Sequence, residues 1–192
     1  EDIGLDRLIG ADPDAAIDGR RLLRAVCDGR TFVELGHRDG LIVALARIGG
    51  RAIGVLASDS AAMSGVLDAA ALSKATLLVQ FCARHDLPVV TLADSPGVLP
   101  DGPALVALGN LVQAWSDCPV AVIGLISRRV IGAAAAALLP LVAANRTIFH
   151  WPGARVGLLR ETVHPPGGQQ IAPRHTRRAL VAALRSVGGT RA

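Results

Sequence analysis

Two short segments of this chain carry residue types suited to binding a polar ligand beside a strand. The first, Asp94-Ser95-Pro96-Gly97, directly follows an apolar run that predicts a buried strand. Pro96 removes a backbone donor and fixes φ, while Gly97 permits a left-handed or crowded backbone. Asp94 is able either to cap the turn or to hold a partner's amide. Structural capping competes with a functional interpretation, because Asp before a turn usually bonds its own backbone.

The second segment is Gly132-Ala133-Ala134, which lies between a predicted strand and an alanine-rich helix. Free amides at a helix N-terminus, with no bulky side chain in the way, form a pocket for an anion or an oxyanion. Gly-Ala-Ala at a helix start is also common where a helix packs closely on its neighbour. The residues alone leave both interpretations open.

Lys74 is the third candidate, and it lies on the apolar stripe of a predicted helix, between Leu67 and Leu78. One interpretation is that its stem covers apolar surface while its ammonium group reaches water. The other is a cation directed at an acidic group across a helix interface, or at a ligand phosphate. His150, beside Trp151, is typical of a strand end rather than of a catalytic base. The sequence shows no Ser-His-Asp order, metal-ligand cluster or phosphate-binding loop.

The elements that position these segments alternate between strand and helix, which predicts crossover units in an α/β fold with a largely parallel sheet. The Gly49-Gly50 pair predicts a hairpin, which makes the sheet mixed. The predicted strands are Thr31–Leu35, Leu41–Ile48, Arg51–Ser58, Pro88–Ala93, Pro119–Leu125, Arg146–His150 and Ala154–Leu158. The predicted helices are Ala15–Asp28, Asp68–His85, Pro103–Trp115, one that opens at Gly132 and is limited by Pro140, and Arg174–Val187. We expect one domain over residues 1–192, with an N-terminal extension over 1–14, an irregular loop over 161–172 and a closing helix over 174–187.

Composition narrows the function classes. The chain has 192 residues, 51% of them hydrophobic, and a formal charge of +4 that comes almost entirely from arginine. This charge permits phosphate-bearing partners. Nucleic-acid binding is not expected, because the arginines are scattered and only 3% of residues are aromatic. The longest uncharged run, Val130–Asn145, is shorter than the ~20 residues that span a bilayer, so no membrane segment is expected. Three separated cysteines and the lack of a secretory signal predict reduced thiols in a cytoplasmic protein.

Taken together, the segments resemble the C-terminal half of the carboxyltransferase (β) subunits of biotin-dependent propionyl- and acetyl-CoA carboxylases. The resemblance covers almost the whole chain, in order and with few gaps. Gly132-Ala133-Ala134 stands at the family's expected distance before Trp151-Pro152. The other matching segments are the opening helix and strand (Leu23–Glu34), the hairpin (Gly49–Val55), the helix and strand that lead to Asp94 (Gly65–Cys82 and Leu87–Gly97) and the ending (Ile171–Leu180).

The resemblance implies a crotonase-like (ClpP/crotonase) spiral of β-β-α units and a partner module of the family's N-terminal type that binds acyl-CoA. This chain would supply the biotin side, with Gly132 and the amides of Ala133 and Ala134 forming an oxyanion hole for the ureido oxygen of carboxybiotin. Asp94, Pro96, Gly97 and Lys74 are assigned to substrate or biotin binding. Biotin would arrive on a biotin carboxyl carrier protein charged by a biotin carboxylase. No metal is expected. The chain is expected to form a homo- or hetero-oligomer.

Some positions depart from the family's pattern. Over Ala134–Leu139, alanine and leucine stand where the family has polar and aromatic residues. Gly157–Arg160 stands where the family has a glycine-containing stretch. Glu161–Gln170 replaces a longer helical excursion. Two alternatives therefore stand beside the carboxyltransferase: a catalytically degenerate assembly or binding subunit, and a subunit of a biotin-independent decarboxylase acting on a malonyl-type thioester.

Overall fold

The fold is given by a computed structural model, which describes residues 3–6, 16–36, 40–60, 62–139, 141–157, 162–163 and 167–188. Its α-helices are α1 (Ile3–Asp6), α2 (Gly19–Val26), α3 (Ala69–Arg84), α4 (Gly102–Ser116), α5 (Ala134–Leu138) and α6 (Thr176–Gly188). Its strands are β1 (Phe32–Glu34), β2 (Leu41–Ile48), β3 (Arg51–Ser58), β4 (Val89–Ser95), β5 (Val122–Ile131), β6 (Arg146–His150), β7 (Arg155–Gly157), β8 (Thr162–Val163) and β9 (Gln169–Gln170).

The strands form one mixed sheet in the order β1-β2-β3-β4-β5-β6-β9, to which β7 and β8 are attached through β5. The first three strands are antiparallel, and β3 to β6 are mutually parallel. The predicted hairpin is confirmed: Ile48 pairs with Arg51, and Gly49 and Gly50 have φ of 61° and 80°. Two consecutive residues of positive φ match the right-handed twist of the flanking strands, so glycine is favoured at both.

Helices cover both faces of the sheet. On one face α3, α4 and α5 enclose a core with the inward residues of β2 to β5, around the buried Trp115. On the other face α1, α2 and α6 enclose a second core, around the buried Trp151. Aspartates start the two longest helices, because Asp68 accepts from the amide of Ala71 and Asp101 from that of Ala104, both at 2.8 Å. A sheet covered on both faces leaves its strand ends as the place for a site.

The longest strand differs from the prediction. β5 runs to Ile131, past the predicted end at Leu125, and it includes the charged stretch Ser127–Arg129. The first half of β5 pairs with β6, and its last residues pair with β7. The extension is possible because Arg128 is neutralised by a buried carboxylate, so a polar stretch that resembles a loop remains within the sheet.

The termini and the late loop also differ. The N-terminal extension includes α1, whose Leu5 is fully buried, so this part packs on the domain. The predicted irregular loop over 161–172 contains the short strands β8 and β9. A 3₁₀ turn, Pro173–His175, precedes the closing helix, which therefore begins at Thr176. Residues 7–15, Pro140 and residues 158–160 lie outside the described residues.

Candidate functional site

The Gly132 segment forms a sharp turn at the carboxyl end of β5. Gly132 has a φ of 59°, a conformation that side chains with a Cβ disfavour, and its amide donates to the carbonyl of Gly157 at 2.7 Å. Helix α5 begins two residues later, and the amides of Ala135 and Ala136 donate back to the carbonyls of Gly132 and Ala133, both at 3.1 Å. The turn is therefore fixed by β7 on one side and by the first bonds of α5 on the other.

Ala133 and Ala134 contribute amides without an acceptor. Within the part of the chain that the structure describes, neither amide donates to any backbone or side-chain oxygen. Ala133 is half-buried and Ala134 is buried. Ala133 and Ala134 stand at the start of α5, where helix amides have no intrahelical acceptor, so both are available to an external oxygen.

Asp94 lies inside a buried ion pair rather than on an open surface. Arg128 donates from Nε to both carboxylate oxygens, at 3.0 and 3.1 Å, and its Nη2 lies 3.0 Å from Oδ2. The hydroxyl of Ser60 donates to the same carboxylate, while the Asp94 amide donates to Ser58 Oγ at 3.1 Å. The Asp94 carboxylate is only 3% exposed. Its lone pairs are thus largely used within the chain, and the structure gives Asp94 a positioning role.

A β-bulge creates this ion pair. Between the pairs Ala93–Ile126 and Ser95–Val130, the single residue Asp94 lies opposite the stretch Ser127–Arg129. The additional residues on β5 bring Arg128 to Asp94, and they also redirect the strand end that leads to Gly132. Bulges of this kind commonly re-aim side chains beside a site.

Pro96 and Gly97 continue from β4 as a half-buried loop tied to the segment before α3. The hydroxyl of Ser95 donates to the carbonyl of Gly65 at 2.7 Å, and the carbonyl of Gly97 accepts from the amide of Leu67 at 3.0 Å. Because Ser95 pairs with Val130, this loop and the Gly132 turn extend from neighbouring parallel strands. The structure therefore brings the two predicted segments to the same edge of the sheet.

Lys74 lies apart from the Asp94–Gly97 loop and the Gly132 turn. Its Cδ and Nζ lie 3.1 and 3.6 Å from the position that a Cβ would take at Gly36, just after β1. β1 is three strands away from β4, which corresponds to roughly 14 Å. The placement of Lys74 on the apolar stripe also needs correction. Lys74 is half-buried at the margin of the inward face of α3, whose buried residues include Ala71, Leu72, Ala75 and Leu78.

Sequence reasoning missed two further arginines of this edge. Arg129 on β5 and Arg155 on β7 are directly paired in the parallel ladder, so their side chains leave the same face side by side. The Nε of Arg129 is buried and has no partner among the described residues. The signal in the sequence was the Arg128-Arg129 pair just before Gly132. Guanidinium groups bind carboxylate and phosphate oxygens, so this end of β5 suits an anionic ligand.

A second charged network lies at the carboxyl ends of β1 and β3. Arg20 donates from Nε to Glu34 at 3.1 Å and also pairs with Asp59. The hydrogen bond to Glu34 is the main cause that raises the pKa of Arg20. Asp59 is 3% exposed, and its Oδ1 has no partner within the described ranges. This network ties α2 to the sheet, and nothing in the sequence had indicated it.

The described cysteines, histidines and acidic residues give little support to thiol, histidine or metal chemistry. Burial raises the pKa of Cys27 to about 11 and that of Cys82 to about 12, so these thiols are protonated at neutral pH. His150 is buried, with Nδ1 3.3 Å from the carbonyl of Trp151. In the described ranges, no three His, Cys, Asp or Glu side chains are grouped as metal ligands, and no helix has the length and apolarity to cross a bilayer.

A mixed sheet covered by helices on both faces, with a glycine turn and two unbonded amides at its carboxyl edge, defines a crotonase-type α/β module. The chain belongs to the carboxyl transferase domain family, whose model matches residues 2–163. The resemblance seen in the sequence is thereby confirmed.

Curated relatives agree with this assignment. The chain is 30% identical over 162 residues to a putative propionyl-CoA carboxylase beta chain of Bacillus subtilis (strain 168), covering 81% of this chain and 32% of the relative. It is 28% identical over 159 residues to the methylmalonyl-CoA carboxyltransferase 12S subunit of Propionibacterium freudenreichii subsp. shermanii, covering 79% and 30%. The chain thus spans about a third of the length of these relatives.

Solved structures share the fold. A transcarboxylase 12S crystal structure, a hexamer with hydrolysed methylmalonyl-coenzyme A bound, superposes with a TM-score of 0.87 at 25% identity, covering 100% of this chain and 44% of that chain. The beta subunit of a geranyl-CoA carboxylase of P. aeruginosa gives a TM-score of 0.83 at 18% identity, covering 94% and 43%. The predicted crotonase-like α/β fold is confirmed.

Proposed function

We propose that this chain supplies the biotin-side half of a carboxyltransferase active site, for the transfer of a carboxylate from carboxybiotin to an acyl-CoA. The observation that carries the proposal is the pair of unbonded amides at Ala133 and Ala134 beside the Gly132 turn. Two neighbouring amides that have no acceptor within the chain can donate to one external oxygen, as the donors of an oxyanion hole do. Membership of the carboxyl transferase domain family supports the same assignment.

The residues present fit a ureido oxygen, because a neutral carbonyl that gains negative charge needs donors and no metal. Biotin, carried on a partner protein, supplies the carboxylate that is transferred. The amides of Ala133 and Ala134 donate to the oxygen on which charge develops, and Gly132 holds the turn that aims them. The Asp94–Arg128 pair fixes the bulge from which the turn starts. Arg129 and Arg155, which are paired across β5 and β7, add positive charge at the same end of β5.

The acyl-CoA side belongs to another module in this proposal. The chain spans about a third of its curated relatives, and its described residues account for one crotonase-type unit. We therefore assign acyl-CoA binding to a module of the family's N-terminal type. We assign delivery of the carboxylate to a biotin carboxyl carrier protein and a biotin carboxylase. The expected location is the cytoplasm.

The experiment that tests this function is the substitution Gly132→Val in the chain reconstituted with an N-terminal-type module. Valine disfavours the φ of 59°, so the amides turn away and turnover falls by ~10²–10³-fold, as when one oxyanion donor is lost. The control is Gly109→Val, on α4, where an added Cβ meets no atom within 4 Å. Carboxylated biotin and short acyl-CoAs serve as substrates, and the chain alone is expected to give only background.

Equal activity of the Gly132→Val and Gly109→Val complexes would overturn the oxyanion hole. Robust turnover by the chain alone would overturn the divided site.

The second candidate, an assembly subunit without chemistry, is favoured by a different observation. Large apolar side chains are exposed on α3 and α4: Leu77 by 66%, Leu105 by 56% and Val106 by 67%. Such residues mark surfaces that a partner covers. The same assay separates the two candidates. If the chain is an assembly subunit, it raises the stability of the complex, and a complex that contains the Gly132→Val variant turns over as fast as the parent complex.

A further inference from the structure

A cavity of about 760 Å³ lies along the outer side of α6, and arginines dominate its walls. Five arginines and one histidine line it: Arg30, Arg174, His175, Arg177, Arg178 and Arg185. The apolar side chains of Val181 and Ala182 also line it. The volume lies in the range of sites for small molecules.

Two of these arginines are held in place by carboxylates. Arg177 donates to the carbonyl of Val26 and to the carboxylate of Asp28, both at 2.6 Å. Asp28 is itself fixed by the amides of Gly49 and Gly50, at 2.9 and 2.6 Å. Arg174 pairs with Asp6 at 3.3 Å. Part of the cavity wall is thus ordered before any ligand arrives.

The other three arginines, Arg30, Arg178 and Arg185, are exposed and have no acidic partner within the described residues. Arg30, which lines the cavity, adopts a φ of 55°, which is unfavourable for a residue with a side chain. Residues 171–192 contain no acidic residue at all. The positive charges around the cavity repel one another, and an anion bound between them would relieve that repulsion.

We propose that this cavity binds a small ligand that carries two or more phosphate groups. One guanidinium group can donate two hydrogen bonds to the oxygens of a phosphate. Several guanidinium groups around one cavity therefore match a ligand with more than one anionic group. Apart from the imidazole of His175, none of the described residues that line the cavity is aromatic, so the recognition is mainly of phosphates rather than of stacked bases. The site lies over α6, apart from the Gly132 turn at the strand ends, and it does not depend on the proposed carboxyl transfer.

The test is calorimetric titration of the full 192-residue chain with inorganic tripolyphosphate, against citrate as a tricarboxylate of lower charge. We expect saturable 1:1 binding of tripolyphosphate, tighter than that of citrate and weakened by added salt. The variant Arg178→Gln/Arg185→Gln should weaken the binding by ~10-fold or more, since each loses a charge-assisted hydrogen bond. The matched control is Arg21→Gln/Arg84→Gln, exposed arginines outside the cavity, which should bind like the parent.

Parallel titrations with ADP and coenzyme A separate the sources of the phosphates, and circular dichroism checks that every variant is folded. Three results would overturn the proposal: no saturable binding at millimolar concentration, equal binding of citrate and tripolyphosphate, or equal loss of affinity in both double variants. Binding is measured without turnover, so its failure is separate from a failure of the proposed carboxyltransferase.

Discussion

At the scale of single residues, the Asp94–Arg128 pair shows how much of the site's geometry depends on buried charge. Both side chains are less than a tenth exposed, and the carboxylate also accepts from Ser60. A buried pair of this kind adds little to stability compared with an apolar pair, but removing one partner leaves a charge without solvent or counter-ion. The pair therefore specifies the position of the β5 end.

We expect Arg128→Met to lower the free energy of unfolding by about 3–5 kcal/mol, because Asp94 is left charged and buried. The control is Arg174→Met, whose partner Asp6 is a third exposed, and there the loss should stay below about 1 kcal/mol. Urea unfolding followed by circular dichroism measures both. Similar losses in the two variants would show that the buried pair is not the reason for the effect.

The Asp28 carboxylate gives a prediction on pH. The pKa of Asp28 lies below its usual value, mainly because the amide of Gly50 donates to the carboxylate and also because the guanidinium of Arg177 does. A lowered carboxyl pKa contributes stability that is present above the unfolded pKa of about 3.9 and is lost as pH falls through the folded pKa. Asp28→Asn should therefore reduce stability at neutral pH and flatten the decline below about pH 4. Melting temperatures between pH 2 and 7 measure it, with Asp117→Asn, whose carboxylate accepts from Gln113, as control. An unchanged acid limb in Asp28→Asn would contradict this role.

At the scale of elements, the hairpin and the helix starts were predictable, because their causes are local. Gly49-Gly50 between β-branched runs fixes β2 and β3, and Asp68 and Asp101 fix the first turns of α3 and α4. The full length of β5 was not predictable, since the Asp94 that neutralises Arg128 lies in another strand, 34 positions earlier.

The candidate site was predictable only in part. The Gly132 turn and the Asp94–Gly97 loop were found because glycine and proline follow apolar runs. The position of Lys74 beside Gly36 was not predictable, because the spacing of apolar residues along a helix does not separate the centre of a helix face from its margin. The arginines of the α6 cavity looked scattered in the sequence, and only the fold brings Arg30 beside the closing helix.

The packing of α3 on β3 makes a prediction at this scale. A Cβ added at Gly54 would lie 2.3 Å from the Sγ of Cys82 on α3, closer than any real contact. Gly54→Ala should therefore cost about 1–3 kcal/mol of unfolding free energy by pushing helix and strand apart. Cys82→Ala removes the obstructing sulfur, so the double variant should be less destabilised than the sum of the two single variants. Strict additivity in urea unfolding would mean that the helix does not contact the strand at this point.

At the scale of the whole molecule, we propose that one crotonase-type unit supplies the oxyanion hole and that a further module binds the acyl-CoA. The exposed apolar side chains of α3 and α4 lie on the face of the sheet that also carries α5 and the Gly132 turn. A partner that covers these helices would therefore also stand next to the turn. In the proposed function, assembly and catalysis use neighbouring surfaces.

We expect the chain to associate at micromolar concentration, as a homodimer or with an N-terminal-type module, because covering Leu105 and Val106 removes apolar area from water. Sedimentation velocity should show more than one chain per particle for the parent. The variant Leu105→Gln/Val106→Gln should shift the population towards monomer, because both side chains are more than half exposed and their loss leaves the fold intact. The matched control is Gln80→Ala/Gln113→Ala, exposed polar positions on the same two helices, which should sediment like the parent. A parent chain that remains monomeric alone and with the added module would show that this apolar surface is not an interface.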